Sequence, residues 1–210
     1  MIENNIVILS LGWLGSSLVK KLESDWVIKG AYYSSKKNIM NEFYFDINSV
    51  GSCQQIESAN IIIFAIPPSK INSVECFNYF LNTLKNQKII FISSTSVYGE
   101  QGEVNEKTIP IPNTQNGHFL LECEKLISKR SRYCIIRSSG QYGDERHPGK
   151  SMAGKLKNFG INERINLIDL ESLLDIIEKN IVSDKYKVIN AVNINHPLKS
   201  EFYQIYSNLN

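Results

Sequence analysis

Cysteine is scarce in this chain of 210 residues. Cys53, Cys76, Cys123 and Cys134 are the only four. No two stand in a Cys-x-x-Cys or metal-finger spacing, so the sequence offers no metal site and no thioredoxin-like redox motif. Cys134 lies in the apolar run Tyr133-Cys134-Ile135-Ile136 and reads as a small buried hydrophobe. All four are expected to be reduced, which fits the cytoplasm. Charge of one sign is missing too. Lys and Arg total 23 against 21 Asp and Glu, a net charge of +2, with no block of like charges. That balance gives no support for a nucleic-acid or anionic-membrane partner. No window holds the roughly 18 apolar residues of a membrane span. The apolar start, Ile6 to Leu14, has no basic segment before it, and Glu3 is acidic. It is therefore read as a first strand and not as a secretory signal. Internal repeats and low-complexity tracts are absent as well.

What the chain does have is alternation. Its 42% hydrophobic and 21% charged content suits a globular protein with a sizeable core. Strands are expected at Ile6–Leu9, Trp26–Tyr32, Asn41–Ile47, Ile61–Ile66, Lys88–Ile92, Tyr133–Arg137 and Val188–Val192. Helices are expected at Gly12–Glu23, Val74–Leu84, Phe119–Ser128 and Leu170–Val182. Gly99–Asn116 and Gly140–Gly149 read as loops, and Phe202-Tyr203 and Ile205-Tyr206 as a tail ready to pack. Continuous apolar strands alternating with helices imply an α/β fold. The expected architecture is a doubly wound, mostly parallel Rossmann-like sheet with helices on both faces. One domain is expected over 1–210, with a core to about 138 and a small substrate-side segment from 139.

Two strand ends carry the chemistry. After the first strand comes Ser10-Leu11-Gly12-Trp13-Leu14-Gly15, a G-x-G-x-x-G turn with serine first. Gly12 would let the backbone approach a pyrophosphate, and Gly15 would let the helix pack on the sheet. If the first position needs positive φ, Ser10 carries a cost; otherwise it is harmless. A plain strand-to-helix turn would use small residues in the same way. The second strand ends in Tyr33-Ser34-Ser35-Lys36-Lys37. Two hydroxyls and two lysines suit a 2′-phosphate, so NADP is favoured over NAD, and a solvated loop is the alternative. Asp46 suits either an adenine contact or a strand cap. The other strand end with chemistry follows Lys88–Ile92 and reads Ser93-Ser94-Thr95-Ser96-Val97-Tyr98-Gly99. Open α/β sheets place substrate chemistry at such carboxyl ends.

These segments resemble the extended short-chain dehydrogenase/NAD-dependent epimerase/dehydratase family, and within it the YeeZ-type atypical subgroup. The likeness also runs through Arg137–Lys150, Ala153-Gly154-Lys155, Ile165–Ile168 and His196-Pro197. It implies an oxidoreductase or epimerase-like activity on a small polar or sugar-nucleotide-like substrate, with Ser94 on the reacting oxygen. It implies cofactor contacts at Ser10, Gly12, Trp13, Leu14, Gly15, Ser34, Lys36 and Ile66. Substrate contacts are implied at Thr95, Tyr142, Arg146 and His147, although Arg146 and His147 equally suit a plain surface loop. A homodimer through the helix carrying Glu122 and Glu124 is implied as well.

The family's Tyr-x-x-x-Lys pair is missing. Aligning Glu124 with the family's helix glutamate puts Asn116 at the tyrosine position and Leu120 at the lysine position. Asparagine does not titrate, and leucine cannot hold a ribose. His118 and Glu122 lie on one helical face and could move a proton, but a solvent-facing pair is the stronger expectation. Tyr98 and Tyr142 are expected to be structural. Two functions stay open: an NADP-dependent enzyme, and a dinucleotide-binding sensor or partner-binding module without redox turnover.

Overall fold

A computed structural model describes residues 5–39, 41–49, 51–143, 146–147 and 163–202. Its centre is a seven-stranded, fully parallel sheet. The strands are β1 (Asn5–Leu9), β2 (Val27–Tyr32), β3 (Glu42–Tyr44), β4 (Ile61–Phe64), β5 (Lys88–Ser94), β6 (Tyr133–Ser138) and β9 (Val188–Ala191), in the order β3-β2-β1-β4-β5-β6-β9. Between them run α1 (Trp13–Leu22), α2 (Val74–Thr83), α3 (Gln115–Ile127) and α4 (Leu170–Val182). The order reverses between β1 and β4, and ligands of doubly wound sheets bind at such a switch point.

Burial explains why these runs are strands. All four residues of β4 are buried, as a strand covered on both faces requires. One face meets α2 through Phe64, Phe77, Phe80 and Phe91, whose rings lie 5.1–6.2 Å apart, and α3 through Leu120, Cys123 and Ile127. The other face meets α1 and α4 through Ile8, Leu18, Ile63 and Ile177. The aromatic contacts add roughly 0.5–1.5 kcal/mol each beyond area burial.

Three local expectations need correction. The serine segment is not all turn: Ser93 and Ser94 continue β5 and pair with Arg137 and Ser138. Only Thr95–Tyr98 leaves the sheet, as a 3-10 turn. Helix α3 starts at Gln115 and not at Phe119, because the Thr114 side chain accepts from the Gly117 amide and caps it earlier. Gly140–Tyr142 is a strand, β7, paired in parallel with β8 (Leu167–Asp169) as a second small sheet. Residues beyond 138 thus supply both this small sheet and β9 of the central one. Pro148–Lys150, Ala153–Lys155, Tyr203, Ile205 and Tyr206 lie outside the described residues. Among the described residues, no helix is long and apolar enough to cross a membrane.

Candidate functional site

The turn after β1 is tight. Ser10 has φ 89°, so the first position of the glycine motif does require the left-handed side of the backbone map. The reason is the neighbouring helix: a Cβ on Gly15 would lie 2.0 Å from the Ser10 carbonyl oxygen. Gly15 is therefore fixed by packing. Gly12 is different, since a Cβ there would meet only Ser10 Oγ, at 3.7 Å. Its missing side chain leaves open space above the start of α1. No side chain caps that helix start and no acid occupies its first turn. The amides there suit an anion.

Two clefts meet at this turn. One, of ≈ 240 Å³, runs along the ends of β2 and β3 between Tyr33, Ser34, Ser35, Lys37, Asp46 and Lys70. The other, of ≈ 290 Å³, runs towards β5 between Trp13, Leu14, Gly15, Ser94, Leu120 and Arg146. Both share Ser10, Gly12, Ile66 and Pro67. The shared walls make the two clefts neighbours across the switch point.

Ser94 sits in the wall of the second cleft. Its Oγ accepts the Ser96 amide at 3.1 Å, which leaves the hydroxyl hydrogen free to donate. Leu120 faces the same cleft and is 5% exposed, so an apolar side chain stands where the resemblance calls for lysine. Asn116 is exposed on the first turn of α3. His118 and Glu122 are both exposed, and Glu122 accepts from Lys125 at 2.6 Å, in keeping with a solvent-facing pair. Among the described residues lining the Ser94 cleft, none is an Asp, Glu, His, Lys or Tyr.

A buried polar network lies behind Ser94. Ser93 Oγ donates to Glu124 Oε1 at 2.6 Å. Arg137 Nε and Nη2 donate to the same carboxylate, at 3.1–3.2 and 2.6 Å. Arg137 Nη1 donates to Tyr98 Oη at 2.6 Å, and the Tyr98 hydrogen is directed between Asn105 O and Asn190 Oδ1, both at 3.0 Å. Burial works against the Arg137 charge, but the bonds it donates to Glu124 and Tyr98 hold its pKa above the ordinary arginine value. Tyr98 is thus a packed member of this network, as a structural tyrosine should be.

The remaining candidates are spread out. Lys37, rather than Lys36, is the lysine of that pair in the cleft wall; Lys36 is exposed. Thr95 faces a separate groove with Arg164, Asn190 and His196, away from Ser94. Tyr142 accepts from Asn193 at 3.2 Å and meets His147 edge-on at 5.7 Å, while His147 stacks on Phe202 at 5.4 Å. Arg146 bridges back to the cofactor side: its guanidinium lies 5.5 Å from the Trp13 ring centroid. Asp46 serves as a cap, accepting from the Asn48 amide at 2.9 Å, and also lines the first cleft. Lys70 and Gln141 are wall residues that the sequence reading did not single out. No local motif marks Lys70; only its place after β4 at the carboxyl edge would have found it. Burial pushes the Cys123 thiol up to about 12 and the Cys134 thiol up to about 11, so neither is a nucleophile.

No family model matches the chain. It is 26% identical to Protein YeeZ of Escherichia coli (strain K12) over 224 residues, covering 94% of this chain and 81% of that protein. The similarity to YeeZ runs along nearly the whole chain. Among solved structures it overlays one described as an NAD-dependent epimerase/dehydratase of Methylobacillus flagellatus with a TM-score of 0.86. Identity there is 22%, over 99% of this chain and 82% of the other. It also overlays UDP-glucuronic acid 4-epimerase from Bacillus cereus, solved with UDP-glucuronic acid and NAD. That TM-score is 0.81 at 17% identity, over 98% of this chain and 82% of the other. At these identities the likeness is one of fold.

Proposed function

We propose that the chain binds a nicotinamide dinucleotide, NADP in preference to NAD, and acts as an epimerase/dehydratase-like oxidoreductase on a small polar, sugar-nucleotide-like substrate. The observation that carries this reading is the pair of adjoining clefts that run from Tyr33 and Ser34, past the uncapped start of α1, to Ser94. The residues fit the group. The open space at Gly12 admits a pyrophosphate, and Ser10, Trp13, Leu14 and Gly15 surround it. Ser34 and Lys36 belong to the segment that would meet the adenosine ribose, and Ile66 supplies an apolar wall. When bound, the dinucleotide supplies the hydride chemistry. The protein's own part is to hold and orient. Ser94 would donate its free hydroxyl hydrogen to the reacting substrate oxygen. Arg146 would hold an anionic substrate group, with Tyr142 and His147 serving parts of the substrate further from Ser94; Thr95, in its separate groove, is left out of this role. The structural likeness to an epimerase solved with NAD and UDP-glucuronic acid supports the dinucleotide and sugar-nucleotide parts of this reading; the preference for NADP rests on the segment after β2. Cytoplasmic residence and a homodimer through α3 are part of the proposal.

Leu120 and Asn116 favour a second reading, a dinucleotide-bound sensor or partner-binding module without turnover. One experiment separates them. Thermal unfolding is followed with NADP and NAD, and nicotinamide oxidation is assayed across a panel of sugar nucleotides. A nucleotide at about 100 times its Kd should stabilise the fold by about 2.7 kcal/mol. The enzyme reading expects turnover that Ser94→Ala lowers on the order of tenfold or more. Binding without turnover selects the sensor, and no stabilisation by either nucleotide refutes both.

A further inference from the structure

The first cleft has a wall that the dinucleotide reading leaves unused. Lys70 ends a 3-10 turn, Pro68–Lys70, at the carboxyl edge after β4. Its Nζ lies 5.9 Å from the centroid of the Tyr33 ring, which stacks on Tyr44 at 6.3 Å. Lys37 reaches the same cleft from the segment after β2. The backbone under Lys70 is held in place. Asn48 Nδ2 donates to the Lys70 carbonyl at 3.0 Å, and Asn48 Oδ1 accepts the Asn72 amide at 2.8 Å. The Asn48 amide is in turn tied to Asp46 Oδ1. One asparagine thus clamps the turn after β4 to the turn after β3.

The charge of this wall is distinctive. Lys37 and Lys70 are both exposed, and among the described residues neither forms an ion pair with an Asp or Glu. Ser34 and Ser35 add hydroxyl donors, and Asp46 is the one acid in the wall. An acid that would bind the 2′-hydroxyl of NAD is absent from the end of β2, where Tyr32 and Tyr33 stand instead. A phosphomonoester carries about −1.5 to −2 charge at neutral pH and three acceptor oxygens. Two ammonium groups with no carboxylate partner beside two hydroxyls match that demand, and a plain ribose hydroxyl does not.

We infer that Lys70, together with Lys37, reads the adenosine 2′-phosphate of NADP, with Tyr33 as the ring against which the adenine packs. Lys70 is then a specificity residue drawn from the β4 end of the sheet, outside the segment after β2 where sequence alone would look. The inference rests on the dinucleotide reading and adds which phosphate is recognised and by what.

Calorimetric titration of NADP and NAD into the full chain, Lys70→Gln, Lys37→Gln and the double variant tests it. Both lysines are exposed, and melting curves confirm that the variants fold. The wild type should prefer NADP about tenfold or more. Each single substitution should weaken NADP about tenfold and leave NAD within about twofold, as expected for losing one charge-assisted contact. The preference should also fade as pH falls through the monoester's second pKa, about 6. If Lys70→Gln changes NADP and NAD equally, or neither, the inference is overturned while the dinucleotide reading stands. If the wild type binds neither nucleotide, both are overturned.

Discussion

Ser10 holds a backbone conformation that glycine adopts freely, at φ 89°. An L-residue pays about 1–2 kcal/mol there, and a glycine returns about 0.5–1 kcal/mol of that as unfolded-state entropy. Ser10→Gly should therefore raise stability by up to about 1 kcal/mol, seen as a higher urea midpoint. Gly15→Ala should do the reverse and cost about 1–3 kcal/mol or more, because its methyl carbon meets the Ser10 carbonyl. A second residue-scale test concerns the carboxylate behind Ser94. Glu124→Gln leaves the Arg137 charge buried without its counter-charge, at a cost of about 3–5 kcal/mol in denaturant unfolding. Replacing both residues by apolar ones of similar size should cost less than the sum of the single changes.

At the scale of elements, one lysine joins the opposite end of the sheet to a helix. Lys88 opens β5 and is 1% exposed. Its three donors go to Ile181 O at 3.4 Å, Ser183 O at 2.6 Å and Asp184 Oδ1 at 2.9 Å, which fixes the carboxyl end of α4. The hydrogen bond from Lys88 holds the Asp184 carboxyl below its ordinary value. A depressed carboxylate contributes stability above its unfolded pKa, about 3.9, and loses it as pH falls through the lower folded value. Asp184→Asn should thus flatten the acid limb of the stability profile below about pH 4 and leave the shape near pH 7 unchanged. Half of Asp184 is in solvent, so the effect at neutral pH should stay below about 1 kcal/mol. The elements also show what the sequence could and could not reveal. Leu170–Val182 was legible to the residue, because Asp169 caps it and its apolar spacing is regular. The start of α3 was not, since Asn116-Gly117 looks like a turn until Thr114 is seen capping it. Strands β7 and β8 have three residues each and pair across more than twenty positions, so neither shows a period. Both strand ends at the clefts were readable from their small and hydroxylic residues. Lys70 was not, because its role depends on a neighbour brought near only by the sheet.

On the scale of the whole molecule, the doubly wound order sets the polarity of everything else. All seven central strands point the same way, so every strand end with chemistry in it opens on one edge. Lys88 and the end of α4 lie at the other edge, and changes there should leave nucleotide binding intact. Measuring NADP affinity of Lys88→Met against its loss of about 1–3 kcal/mol in stability checks that separation. The arrangement also supplies its own optical probe. Of the two tryptophans, Trp13 lines the Ser94 cleft under Arg146, and Trp26 packs beside the core ahead of β2. A reduced nicotinamide in that cleft would absorb the indole emission at contact range. In a Trp26→Phe background, the remaining fluorescence would come from Trp13 alone, so occupancy of the cleft could be followed by light without any added label.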